Sequence, residues 1–179
     1  MTKFLSIFSV KKNTGFSLLE VLISTAIFSM VLLTVFSFFF SINASNSKTK
    51  ADREAQENAR MVLEEITYEI RGAKSIYTST TTSSQLSLET TKYLPTGETG
   101  TFIDFFLCGT AICLKKESQN PVALTSDSVE VTNLTFSQIL NGTKPSVQIN
   151  LTVNYINPSG SINSFASVNL TSTASLRSY

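Results

Sequence analysis

Apolar residues run almost unbroken from Phe16 to Ile42, 27 positions in which Glu20 is the only charged side chain. At about 1.5 Å per residue, a helix of this length reaches roughly 40 Å, more than the ~30 Å of a hydrocarbon core, so the pattern predicts a membrane-spanning helix. After a polar stretch at Ser45–Lys50 the period changes. Ala55, Ala59, Val62, Ile66, Ile70 and Ala73 recur at steps of three or four, while Glu54, Glu57, Arg60, Glu64, Glu65 and Glu69 mostly occupy other faces. No proline or glycine stands between Phe16 and Arg71. The simplest geometry is one nearly continuous helix of about 58 residues, roughly 85 Å long, ending at Gly72. A charged coiled coil is the alternative over Arg53–Glu69, but its apolar steps persist for few heptads, which favours packing on the chain's own domain.

Past Lys74 the period shortens to two. Strands are predicted at Gln85–Thr90, Thr101–Cys108, Ala111–Lys115, Val122–Leu124, Val129–Gln138, Val147–Tyr155 and Ala166–Leu176, where β-branched and aromatic residues alternate with polar ones. Val147, Ile149, Leu151 and Val153 share one face, and Ala166, Val168 and Leu170 repeat the pattern beyond the turn sequence Asn157-Pro158-Ser159-Gly160. Those two stretches are expected to form an antiparallel hairpin. A sheet wet on one side and buried on the other is the partner that the helical stripe requires, giving an α+β fold. Thr78–Ser84 reads as a polar loop without evident chemistry.

Charge and composition mainly exclude. Of 14 basic residues, Lys3, Lys11 and Lys12 precede Phe16, which leaves 11 against 13 acidic ones in the remainder. That balance gives no basic surface of the sort nucleic acids select. There is no histidine, so the commonest general base and the usual triads are absent, and no phosphate-cradling glycine loop is present. Glu89, Glu98, Asp104, Glu117, Asp127 and Glu130 are scattered singly. No catalytic residue, cofactor site or metal site is expected. Cys108 and Cys113, the only cysteines, flank a turn at Gly109-Thr110. A disulfide across a tight hairpin is the favoured reading, with two free buried thiols or a poor metal site, lacking two of four ligands, as alternatives.

Glu20 remains to be explained, because a carboxylate in apolar surroundings is expensive unless compensated. Ser17 and Glu20 fit S-x-x-E, so a capping box at the helix start is one account. The other starts upstream: Lys11 and Lys12 precede Gly15, Gly15 precedes Phe16, and Glu20 is fifth from Phe16. This combination resembles the processing signal of type IV prepilins and of the pseudopilins of type II secretion. The resemblance covers roughly residues 11 to 45, since basic flank, glycine, aromatic, glutamate and apolar run all coincide.

The resemblance implies that a membrane-embedded prepilin peptidase/methyltransferase cuts between Gly15 and Phe16 and methylates the Phe16 nitrogen. It implies that Glu20 then pairs with the new amino terminus of a neighbouring subunit, drawing subunits from the bilayer into a fibre. The implied organisation is a leader at 1–15, a transmembrane half-helix at 16–42, an amphipathic half at 43–73 and a β-rich extracytoplasmic domain at 74–179. Lys3, Lys11 and Lys12 on one side and Lys48, Lys50 and Arg53 on the other tie by the positive-inside rule, so the orientation with the leader in the cytoplasm follows from the resemblance. Many major pilins carry a helix-breaking proline about where Ser37 stands here, and often a long C-terminal disulfide loop. The departures, with the ending Ala174-Ser175-Leu176-Arg177, are closer to minor W-type pilins or J-type pseudopilins. Two other readings use the same residues: a secretory signal cut near Ser41–Ala44, disfavoured by Glu20 and by the length of the run, and an uncleaved signal-anchored binding module or adhesin.

Overall fold

The computed structural model describes residues 15–141, 144–157, 160 and 164–177. One helix and eight strands follow in order: α1 (Leu18–Gly72), β1 (Ser75–Ile76), β2 (Gln85–Thr90), β3 (Thr101–Cys108), β4 (Ala111–Lys116), β5 (Val122–Ala123), β6 (Val129–Asn141), β7 (Lys144–Tyr155) and β8 (Ser167–Ser175). The fold is α+β, with every sheet pairing antiparallel. By contacts the chain divides into two units, Met1–Asn43 and Ala44–Tyr179.

In the second unit, the expected stripe of α1 is buried throughout: Ala55, Ala59, Val62, Ile66 and Ile70 are wholly inaccessible. Ala51 and Ala55 pack with Ala166, while Ala59, Val62, Ile66 and Ile70 belong to the main apolar cluster. Gly72 is the last helical residue, but its φ is not positive, so it is not a left-handed cap. A methyl group there would lie 2.5 Å from Lys92 Nζ, so the bare glycine makes room for that side chain.

The strands form two sheets, ordered β1-β2-β3-β4-β5 and β6-β7-β8. Alternation decides what each contributes to the core. Ile103 and Phe105 of β3, Leu86 and Leu88 of β2, and Val147, Ile149, Leu151 and Val153 of β7 join the α1 stripe in one apolar cluster. A smaller cluster of Ala51, Ala55 and Ala166 extends it. The expected hairpin partners do pair, with Leu151 opposite Leu170 and Val153 opposite Val168. Its turn at Pro158 and Ser159 lies outside the described residues, as does the leader at 1–14.

Boundaries differ from expectation in small ways. β6 runs on to Asn141 and β7 begins at Lys144, and a bulge between Val131 and Asn133 shifts their register. β5 stops at Ala123 rather than Leu124, and β8 spans Ser167–Ser175 within the longer stretch expected. β1 was not expected: only two residues pair with Glu89 and Leu88, too few for a period to be visible.

Candidate functional site

Two places carry the chemistry expected of this chain, and they differ in kind. At the head of α1, Gly15, Phe16 and Ser17 precede the first helical turn, which contains Glu20. The Ser17 carbonyl accepts hydrogen bonds from the Glu20 N–H at 2.9 Å and the Val21 N–H at 3.1 Å, which starts the helix through backbone groups. A carboxylate in this turn meets the positive end of the helix dipole. Among the described residues no side-chain hydrogen bond or ion pair involves Glu20, so its half of a capping box is not made, and its N–H goes to the Ser17 carbonyl. The carboxylate is exposed. Among the described residues, nothing lies within 4 Å of a methyl group added at Gly15.

Most residues near Glu20 along the helix are apolar, with Ser17 and Ser24 the polar ones on its own face. Phe16 is 78% exposed and Leu18 82%, and no residue in the most apolar stretch of α1 is buried. By length and composition this helix can cross a membrane, with a mean hydropathy of 2.3 over its best window. Its hydroxyls suit a dry solvent. Thr25 donates to the Leu22 carbonyl at 3.0 Å, Ser29 to the Thr25 carbonyl at 2.8 Å and Thr34 to the Val31 carbonyl at 2.7 Å. These three hydroxyls thus find acceptors within their own helix, as lipid demands. Among the described residues, Glu20 makes no such side-chain bond within the helix.

At the β3–β4 turn, Cys108 and Cys113 are joined in a disulfide with Cα atoms 5.8 Å apart. Cys108 lies opposite Ala111 and Cys113 opposite Phe106, so the bridge runs diagonally across the hairpin rather than between directly facing residues. Gly109 supplies the positive φ, 71°, that a two-residue loop of this hand requires. Among the described residues, no group of three or more His, Cys, Asp or Glu could hold a metal ion.

A polar cluster at the far end of α1 was not foreseen. Glu69, grouped by pattern with the outward-facing acids, is 1% exposed. It accepts from Lys92 Nζ at 3.2 Å and from the Tyr93 hydroxyl at 3.2 Å. Lys92 also sits 4.1 Å from the centre of the Tyr68 ring, and Lys116 lies 3.8 Å from that of Tyr93. Burial opposes the charge on Lys92, but the hydrogen bond and charge of Glu69, aided by Tyr68 and Tyr93, outweigh it and raise the Lys92 pKa above its usual 10.5. Tyr93 adopts a left-handed backbone, φ 60°, to reach Glu69, a conformation that costs a non-glycine residue and must be held by its contacts. The signal available in sequence was Glu69's place three residues after Ile66, on the edge of the stripe. The cluster ties α1 to the connection between β2 and β3.

Compared with known proteins, residues 10–36 match the family model described as the prokaryotic N-terminal methylation motif. No curated protein and no solved structure matches the chain. The motif supports a class III signal of the type IV pilin and pseudopilin kind, and hence a pilin-like precursor that a prepilin peptidase processes. Proteins with this motif are structural rather than enzymatic, and the signal and apolar helix fit membrane anchoring.

Proposed function

We propose that this chain is a minor subunit of a type IV pilus or type II secretion pseudopilus. A prepilin peptidase/methyltransferase cuts it between Gly15 and Phe16 and methylates the Phe16 nitrogen. Residues 16–42 hold it in the cytoplasmic membrane, and residues 74–179 lie on the extracytoplasmic side. The observation that carries this reading is Glu20: a carboxylate without a partner among the described residues, at the head of an apolar helix, within a methylation motif.

The physical sequence of events follows from charge. Cleavage at Gly15 exposes an ammonium beside an apolar segment, and Glu20 of a neighbouring subunit is equally uncompensated. Each charge alone in lipid is costly, and their pairing relieves both. A helix exposed all round then finds neighbours to cover it. The minor role is supported by an α1 that runs unbroken through Ser37, without the proline that interrupts many major pilins.

Mass spectrometry of the protein from cells with an active prepilin peptidase tests the processing step. A mature start at methylated Phe16 is expected, whereas an intact Met1 would overturn it and favour a signal-anchored binding module. Glu20→Gln is expected to leave membrane insertion intact and lower incorporation into fibres about a hundredfold or more. Incorporation at the native level would remove the pairing role.

A further inference from the structure

Sheet edges expose unpaired backbone groups and invite another strand, so proteins usually shorten, cover or charge them. Three of the four edges here are managed that way. β1 and β5, at the two margins of the five-stranded sheet, are each two residues long. β6, one margin of the three-stranded sheet, is tied off by the Val131 N–H donating to the Thr110 carbonyl and the Phe136 N–H to the Ser83 carbonyl, both at 2.8 Å.

β8 is the exception. It has nine residues, Ser167 to Ser175, with no charge and no proline, and its register against β7 is unbroken from Ser167 opposite Asn154 to Ser175 opposite Ser146. Just outside the strand, the Tyr155 N–H donates to the Ala166 carbonyl and the Leu176 N–H to the Pro145 carbonyl. Because bonding alternates along an antiparallel pair, Val168, Leu170, Ser172 and Ala174 address β7, and Asn169, Thr171 and Thr173 aim their N–H and C=O groups outward. Among the described residues, nothing bonds to that outer row.

Beside this edge, between β8 and α1, lies an open groove of about 580 Å³. Leu63, Thr67 and Tyr68 form its α1 wall, and Ser172 lines it from β8. Arg71 and Arg177 stand at its rim, both exposed and neither in an ion pair among the described residues. Lys92 also lines it but is committed to Glu69, which leaves Glu64 as the one acid facing the two arginines. On the opposite face of the sheet, the Thr171 hydroxyl donates to Asn150 Oδ1 at 2.8 Å and Asn150 Nδ2 to the Thr135 hydroxyl at 3.3 Å, a polar ladder that stops at the β8 edge.

We propose that the outer edge of β8 is a strand-docking site for an extended segment of another protein, with alternate apolar residues and a carboxylate near the end that meets Arg71 and Arg177. The incoming backbone pairs with Asn169, Thr171 and Thr173. Side chains opposite Leu170 and Ser172 then point toward the groove, as same-face neighbours in a sheet must. The rim chooses the partner's charge. A second copy of β8 fits less well, since the strand is uncharged and offers the two arginines no carboxylate. This inference stands apart from the role of Glu20 and holds whether or not the chain enters a fibre.

The test uses the full-length protein in detergent micelles and end-capped, labelled nine-residue peptides that alternate valine and threonine. Two carry an Asp-Asp pair, one at each end, and a third carries Lys-Lys. One aspartate peptide is expected to bind about tenfold or more tighter than the lysine peptide, and to protect the amides of Asn169, Thr171 and Thr173 from hydrogen exchange. Thr173→Pro removes an outward donor that the β7 ladder does not use, and is expected to weaken binding about tenfold. Undiminished binding by that variant, or protection away from β8, would overturn the site. Should the proline variant not fold, Arg71→Glu with Arg177→Glu is expected to reverse the preference between aspartate and lysine peptides, and an unchanged preference defeats the proposal. Self-association of the chain without peptide, abolished by Thr173→Pro, would make a second copy the occupant and refute the acidic partner.

Discussion

The two halves of α1 obey the same backbone rules and meet opposite fates. Between Ala51 and Ile70 the helix is sided: nine residues are buried, and charge is kept mostly on the other faces. Before Ile42 it has no sides, with Phe, Leu, Ile and Val exposed around the whole circumference. A sided helix finds its partner within its own chain. A helix apolar all round needs a solvent or neighbours of like character. The lesson is that one continuous element can be finished at one end and unfinished at the other, and the unfinished end holds the methylation motif and Glu20.

Truncating core side chains should separate the halves most sharply. Ile66→Ala is expected to cost the Ala44–Tyr179 unit about 2–5 kcal/mol in urea unfolding, whereas Ile27→Ala should change that transition by less than about 0.5 kcal/mol. Equal losses would mean that the first half also stabilises the domain. Reducing the Cys108–Cys113 bridge should cost about 2 kcal/mol, the value for closing so short a loop, read as a lower urea midpoint with dithiothreitol. Lys92→Ala should cost about 1–2 kcal/mol, low in the range for an orphaned buried partner because 30% of the Lys92 side chain is exposed. As the Lys92 pKa is raised in the fold, its contribution is complete below the usual 10.5 and fades as pH climbs through the higher folded value. The native protein should therefore lose its advantage over Lys92→Ala in alkaline unfolding.

The smallest effect concerns Glu89. Its hydrogen bonds from Lys74 Nζ at 2.6 Å and from the Ser75 hydroxyl at 2.7 Å hold its carboxyl below the usual 4.5, against the opposing effect of burial. The stabilisation is present above pH 4.5 and disappears as pH falls through the lowered value. Glu89→Gln should flatten the acid limb of the stability profile by well under about 1 kcal/mol, since Lys74 is largely exposed. An unchanged acid limb would assign the local stability to the β1–β2 backbone pairing.

Much of this architecture was legible because period follows burial. Steps of three or four foretold Ala55 through Ile70, and alternation foretold β2, β3, β7 and the pairing of β7 with β8. What alternation cannot express is which neighbour a strand chooses, so the division into two sheets was not visible. Glu69 was misread because a pattern records polarity and not partnership: its burial depends on Lys92 and Tyr93, more than twenty residues away. At the head of the helix the reverse holds. Gly15, Phe16 and Glu20 stand out as a spaced motif, while their geometry alone offers only a bare turn and an acid without a partner among the described residues.

Asn58 is 6% exposed, donates to the Glu54 carbonyl and accepts from the Ser126 N–H, both at 2.9 Å, while Ser128 donates to Glu54 at 3.3 Å. Together with Glu69, these groups bracket the apolar stripe like rivets at both ends of a seam. Grease permits sliding, but directional bonds do not. Tension along the axis of α1 must therefore shear Asn58 from Ser126 and Glu69 from Lys92 before the helix can slip a turn against its sheets, so the joint resists traction through a few polar pins as well as through its packed area.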